Sequence, residues 1–129
     1  MNAQTFINAL GALENDRDLD TISSMFADDA ELRNPHVHDP MSGRDGARRF
    51  WQQYRDAFGD IRSEFRSVIE TDSSASLEWV SNGTLSPTGQ SAHYGGVSIL
   101  EWSDAGIQRF ATYFDTEQLR LNGGSDPQR

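Results

Sequence analysis

Residues 78–115 constrain the fold most, because they contain three strand-like runs separated by two tight reversals. The runs read EWVSNGT, YGGVSILEW and GIQRFATYFD, and the turn sequences SPTG and SDAG lie between them. This pattern predicts an antiparallel meander. Aromatic and aliphatic residues fall on both parities of the strands, so we expect both faces of the sheet to be covered. Helices packed across a curved sheet leave a concavity, and we expect the functional site there.

Three helices are predicted before the meander. Residues 3–14 carry an apolar stripe at helical spacing, Asp18 is placed to cap a short second helix, and residues 44–58 form a third. The second helix is expected to carry Leu19, Ile22, Met25 and Phe26, and the third to carry Ala47, Phe50, Trp51, Tyr54 and Phe58 on one side.

Shorter elements complete the prediction. Residues 30–33 are expected to be extended, residues 34–43 to form a loop because of two prolines and a Ser-Gly pair, and residues 61–70 to form a strand. Helices that precede an antiparallel sheet define the α+β class. Residues 116–121 are predicted to form a short last helix, and residues 122–129 a flexible C-terminal tail after a single domain of residues 1–121.

Composition excludes several functions. The chain has 129 residues, no cysteine and a formal net charge of −9. Such a surface repels nucleic acid, and the absence of cysteine removes thiol chemistry. No apolar run approaches the ~18 residues of a membrane span, and the N-terminus lacks the pattern of a signal peptide. We therefore expect no nucleic-acid or membrane partner and a cytoplasmic location.

Several segments together resemble the SnoaL-like branch of the nuclear transport factor 2-like superfamily. They read FADDAEL, GRDGARRFWQQY, EWVSNGT and GVSILEW, and the resemblance covers roughly residues 3–120. It implies a cone-shaped, cystatin-like α+β fold, in which three N-terminal helices pack in a curved, mainly antiparallel sheet around a deep pocket. It also implies a homodimer formed through the outer face of the sheet. Similar proteins isomerise steroids, cyclise polyketides, open epoxides or only bind a ligand, and the fold does not choose among these.

The epoxide-hydrolase relatives place catalytic side chains that this chain lacks. Their Arg and Asp positions correspond here to Trp79 and Ser81, and the acid of their last strand corresponds to Thr112. Their Asn matches Asn34. The resemblance therefore implies that the water-activating group is missing, which argues against epoxide hydrolysis.

Isomerase and cyclase chemistry needs only one proton-transferring group and a donor that holds the oxyanion. Asp115, His93 and Tyr113 are the predicted catalytic residues. Asp115 could instead cap the helix that follows it, and His93 could be an exposed hairpin residue. Strict alternation places Tyr113 and Asp115 on the face opposite Thr112, so they reach the pocket only if a bulge intervenes.

The predicted substrate-binding residues surround the expected pocket. Aromatic walls suit a flat hydrophobic ligand, although the same rings also suit a packed core. His36 and His38, in the cluster HVHD that ends at Asp39, would point the same way on an extended segment, so a metal is conceivable. No third ligand in a matching position is evident, and we predict no metal. The predicted set is Asn34, His36, Trp51, Tyr54, Trp79, Ser81, Phe110 and Thr112.

The sequence thus predicts a pocket for a small hydrophobic, polyketide- or steroid-like molecule. The leading interpretation is a cofactor-free isomerase or cyclase that works by proton transfer. A non-catalytic binding protein of the same fold is the alternative, and a dimerising module with a filled pocket is a third possibility. The substrate and pathway are not determined by the sequence.

Overall fold

One six-stranded sheet curves around the helices of the computed structural model, which describes residues 1–123 and, for residues 120–123, the backbone alone. The spatial order of the strands is β2-β1-β6-β5-β4-β3. The strands are β1 (Phe26–Arg33), β2 (Met41–Ser42), β3 (Phe58–Glu70), β4 (Ser74–Leu85), β5 (Ser91–Ser103) and β6 (Gly106–Phe114). The helices are α1 (Ala3–Asp16), α2 (Leu19–Ser23), α3 (Gly43–Asp56) and α4 (Thr116–Gly123).

The predicted meander is confirmed as strands β4, β5 and β6, which pair antiparallel in chain order. The predicted strand 61–70 is the fourth member, β3, and it pairs antiparallel with β4. Strand β1 then joins β6 in parallel, and the short β2 closes that edge. The predicted α+β class with three N-terminal helices is therefore confirmed.

Local capping fixes the ends of the first two helices. Asn2 caps α1 by accepting a hydrogen bond from the Thr5 backbone N–H at 2.8 Å. Asp18 caps α2 as predicted, because its carboxylate accepts from the Thr21 backbone N–H at 3.1 Å. Arg17, the residue that follows α1, adopts a left-handed conformation with φ of 57°, which ends α1 before α2 begins.

Three predicted boundaries were wrong. The second helix stops at Ser23 and Phe26 begins β1, because pairing with β6 satisfies the backbone there; the Ile107 N–H donates to the Met25 carbonyl. The predicted loop 34–43 contains β2, which pairs with β1. Phe58 begins β3 rather than ending the third helix, and it pairs with Leu85.

Two apolar clusters form the interior of the described part of the chain. The larger joins α1 and α3 to the β1–β6 side of the sheet and contains Phe6, Trp51 and Phe110. The smaller lies towards the β3–β5 side and contains Phe58 and Tyr94. Residues from both clusters line the same cavity, described below.

The predictions for the C-terminus fall only partly within the residues that the structure describes. The last helix was predicted at 116–121 and is observed as α4, which extends through Gly123. The first two residues of the predicted tail, 122–129, therefore belong to this helix, and residues 124–129 lie outside the described part of the chain. No helix within residues 1–123 is both long and apolar enough to cross a membrane.

Candidate functional site

A cavity of about 760 Å³ lies between the helices and the inner face of the sheet. Helix α3 supplies Trp51 and Tyr54, and alternate residues of β4, β5 and β6 point into it from the sheet. Most of its wall is apolar, and much of the apolar part is formed by aromatic rings. The loop around Pro35 and the turn around Pro87 also contribute to the lining.

All eight predicted substrate-binding residues lie around this cavity. Asn34 and His36 belong to the loop after β1, and the other six lie on α3, β4 and β6. The Asn34 carboxamide oxygen accepts from the backbone N–H groups of His36 and Val37, at 2.7 and 3.1 Å, and so shapes this loop. The His36 ring lies against Phe114 with ring centroids 5.6 Å apart. Contact of these residues with a ligand stays a prediction.

The three predicted catalytic residues do not line the cavity. Tyr113 is 46% exposed on the opposite face of β6 from Thr112, because no bulge falls between residues 109 and 114. The Asp115 carboxylate is exposed and accepts from the Glu117 backbone N–H at 2.9 Å, at the start of α4. His93 is exposed on the outer face of β5, where its ring contacts the Asn82 side chain. Their catalytic role therefore stays a prediction, without support from the geometry of the cavity.

Glu14, which the sequence analysis did not single out, is the buried acid next to the cavity. It lies at the end of α1 and is only 5% exposed. Its carboxylate accepts from the Tyr54 hydroxyl at 2.6 Å, from the Ser63 hydroxyl at 2.7 Å and from the Ser63 backbone N–H at 3.0 Å. The Ser63 hydroxyl in turn lies 2.7 Å from that of Ser81. We call Glu14, Tyr54, Ser63 and Ser81 the Glu14 network.

The Glu14 network reaches the cavity through three of its members. Tyr54, Ser63 and Ser81 line the wall, and Glu14 lies behind them. No salt bridge within the described part of the chain involves Glu14, so hydrogen bonds alone compensate the buried carboxylate. Burying an acid without a cation is costly for stability, which makes such a group a candidate for function.

A signal in the sequence could have revealed Glu14. Counting in steps of four along α1 gives Phe6, Leu10 and Glu14, so the acid continues the buried stripe of the helix. A charged residue on the apolar side of a helix needs partners in the interior. The partners could not be read from the sequence, since Ser63 is 49 residues away and Tyr54 is 40.

A second polar cluster lies further along the same sheet. The Trp79 indole N–H donates to the Ser98 hydroxyl at 2.9 Å, and that hydroxyl lies 2.9 Å from the Thr112 hydroxyl. All three residues line the cavity and are at most 8% exposed. At the positions where the hydrolase resemblance would place carboxylates, Ser81 and Thr112 therefore supply neutral hydroxyls to the cavity.

Both phenols at the cavity are held in their neutral form. Burial, followed by the neighbouring Tyr94 and Glu14, raises the pKa of Tyr54 well above its usual value. Burial is also the main cause that raises the pKa of Tyr94, and Glu14 adds to it. A phenol that keeps its proton remains a hydrogen-bond donor, which agrees with the bond from Tyr54 to Glu14.

Glycine at position 96 makes room for the aromatic wall. A Cβ atom there would lie 2.8 Å from the Trp79 ring and would collide with the Tyr113 carbonyl oxygen. Any side chain at this position would therefore force the Trp79 ring or the backbone of β6 to move. Metal binding has no comparable support, since no group of three His, Cys, Asp or Glu side chains suited to a metal occurs among residues 1–123.

The architecture of a curved sheet packed around helices recurs in solved structures. A protein with a ketosteroid isomerase-like fold from Catenulispora acidiphila, in complex with trimethylamine, superposes with a TM-score of 0.82 at 12% identity, over 96% of this chain and 95% of that one. TerC co-crystallised with polyporic acid superposes with a TM-score of 0.75 at 23% sequence identity, over 91% of this chain and 94% of TerC. An LEH-like epoxide hydrolase from M. tuberculosis superposes with a TM-score of 0.68 at 17% sequence identity, over 91% of this chain and 85% of the hydrolase.

These likenesses define the class: the chain has the nuclear transport factor 2-like, ketosteroid isomerase-like fold. At these identities they show the fold alone. The SnoaL-like domain family matches residues 4–110, and the chain therefore belongs to that family. No curated protein matches the sequence significantly.

Proposed function

We propose that the cavity binds a small, flat, hydrophobic molecule of the polyketide or steroid type. The observation that carries this proposal is a cavity of about 760 Å³ whose mainly apolar wall is rich in aromatic rings and is interrupted by two polar clusters. Ligand sites typically combine apolar walls with a few placed polar groups. Aromatic rings such as Trp51, Trp79 and Phe110 offer flat surfaces for stacking.

The reaction we propose is cofactor-free isomerisation or cyclisation by proton transfer. Such chemistry requires a side chain that can take a proton from the substrate and return it at another position. The Glu14 carboxylate is bonded to two hydroxyls of the cavity wall, and Tyr54 is a phenol that stays protonated. The Glu14 network therefore replaces Asp115, His93 and Tyr113 as the candidate proton-transfer machinery.

A non-catalytic binding protein is the second candidate function. The observation that favours it is the position of Glu14, whose carboxylate lies behind the wall rather than in the cavity. A carboxylate that only orients hydroxyl groups would give affinity and selectivity without turnover.

Matched variants on one strand test the cavity directly. Thr112→Trp fills the cavity from β6, whereas Tyr113→Trp adds the same ring to the opposite face of that strand. In a screen of steroids, terpenoids and aromatic polyketides, we expect Thr112→Trp to lose binding and Tyr113→Trp to keep it. Equal binding by both variants would contradict the proposed site.

Turnover separates the two candidate functions. A ligand that binds is incubated with the protein in D₂O, and NMR follows deuterium incorporation next to its carbonyl groups. Incorporation or a rearranged product, lost in Glu14→Gln, supports the enzyme. Binding with neither result supports the non-catalytic protein.

We also propose that the protein is a homodimer through the outer face of the sheet. Val97 and Tyr113 are cross-strand partners on that face, and Tyr113 is 46% exposed although it is aromatic. Val97→Glu places a charge there, and we expect it to shift the sedimenting species from a dimer to one chain of 14.4 kDa. A monomeric wild-type protein would contradict the proposal. The cytoplasmic location stays a prediction.

A further inference from the structure

The direction of each hydrogen bond in the Glu14 network can be worked out from its donors. The Ser63 backbone N–H can only donate, and it donates to one carboxylate oxygen of Glu14 at 3.0 Å. The hydroxyls of Tyr54 and Ser63 both converge on the other oxygen, at 2.6 and 2.7 Å. That oxygen accepts both bonds, so each hydroxyl donates its single proton to it.

The direction of the Ser63 bond also determines the role of the Ser81 hydroxyl. Because the Ser63 proton goes to Glu14, the short contact between the two serine hydroxyls requires Ser81 to be its donor. Ser81 is 1% exposed and has no second proton to offer. Tyr54 and Ser81 therefore turn only lone pairs towards the cavity that they line.

We propose that the Glu14 network makes this part of the wall a selective acceptor for a ligand hydroxyl, and that Glu14 is the residue that sets this selectivity. This inference rests on the proposed function, because it concerns a ligand in the same cavity. It narrows the ligand class to flat molecules that carry a phenolic or enolic hydroxyl. A ligand carbonyl at the same place would face lone pairs and would lose the hydrogen bonds that it makes with water.

Glutamine at position 14 would change the donor and acceptor roles of the hydroxyls that bond to this residue. Its amide nitrogen donates, so at least one of the two hydroxyls that now bond to the carboxylate can turn its proton towards the cavity. Glu14→Gln thus removes the acceptor-only character of the wall at almost unchanged size. Glu78→Gln makes the same chemical change at an exposed position on the outer face of β4 and serves as the matched control.

The test compares 6-hydroxyflavone with 6-methoxyflavone and unsubstituted flavone, using equilibrium dialysis at pH 6.5. For the wild-type protein and Glu78→Gln, we expect the hydroxyl compound to bind on the order of tenfold tighter than the other two. For Glu14→Gln, we expect that ratio to fall to about one. A role of Glu14 in stability alone would weaken all three compounds equally.

Ser81→Ala keeps the inference testable if Glu14→Gln does not fold. It removes an acceptor from the wall and leaves the carboxylate in place, so the ratio should also fall. Equal affinity of the wild-type protein for all three flavones would overturn the inference and leave the proposed cavity intact. Failure of every flavone to bind would overturn both.

Discussion

Neighbouring residues of the meander lie in opposite environments on the two faces of the sheet. On the inner face, Ser81 and Thr112 are buried polar groups within an aromatic wall, and each has hydrogen-bond partners. On the outer face, His93 and Tyr113 are exposed, although both are residue types common in active sites. The comparison shows that chemical versatility alone does not identify a site; the face of the strand decides which groups can meet a ligand.

The largest expected difference between the faces is in stability. Phe110→Ala removes an inner-face ring that contacts Phe6 and Trp51, and we expect it to lower the free energy of unfolding by about 3–5 kcal/mol. Tyr113→Ala, on the outer face of the same strand, should cost less than about 1 kcal/mol in the monomer. Urea denaturation of both variants measures the difference, and comparable losses would contradict the assignment of faces.

Adjacent glycines offer a second comparison. A Cβ atom at Gly96 meets the Trp79 ring and the Tyr113 carbonyl, so we expect Gly96→Ala to destabilise the fold by about 1–3 kcal/mol. The nearest atom to a Cβ at Gly95 is the Trp79 carbonyl oxygen, at 3.2 Å, and Gly95→Ala should cost less. Thermal unfolding of the pair tests this ranking, and the reverse order would refute it.

Alkaline pH should lower the stability of the fold through the two buried tyrosines at the cavity. The pKa values of Tyr54 and Tyr94 are raised in the folded state, chiefly by burial, above the value of about 10 for an unfolded tyrosine. Their contribution to stability is therefore complete below about pH 10 and is lost as the pH rises towards the folded-state values.

A tyrosine variant isolates this effect. Above pH 10, we expect the free energy of unfolding of Tyr94→Phe to fall less steeply than that of the wild type, by about 1.4 kcal/mol per pH unit. Tyr113→Phe, on the exposed face, is the control and should keep the wild-type slope. Urea denaturation at a series of pH values gives both slopes; identical slopes for Tyr94→Phe and the wild type would exclude this role of Tyr94.

The smallest effects are expected at two of the residues first predicted to be catalytic. Asparagine caps a helix about as well as aspartate, so Asp115→Asn should change stability by less than about 0.5 kcal/mol. His93→Ala should likewise leave ligand affinity unchanged, since the ring lies on the outer face. A large loss of affinity in either variant would mean that the ligand binds outside the inner-face cavity.

Local signals made much of the fold predictable. The Asp18 cap, the apolar side of α3 and the turn sequences at 86–89 and 103–106 act over a few residues, and each is found where it was expected. The errors came from pairing between distant segments. Phe26 follows helical spacing, but a strand partner 81 positions away, Ile107, draws it into the sheet.

The cavity lining was predicted from the family resemblance and from the aromatic residues of the strands. Trp79, Ser81, Phe110 and Thr112 lie at the cavity because their strands keep regular alternation around these positions. Glu14 was missed because its role depends on Tyr54 and Ser63, which only tertiary packing brings together. A buried acid and its donors form a network that no single segment of the sequence contains.

The most direct measurement is a crystal structure of the protein with 6-hydroxyflavone. We expect the flavone to lie between the aromatic rings of the inner-face cavity, with its hydroxyl within hydrogen-bonding distance of Tyr54 or Ser81. A flavone bound on the outer face of the sheet, or an interior closed by repacking of Trp51 and Trp79, would contradict the proposed site.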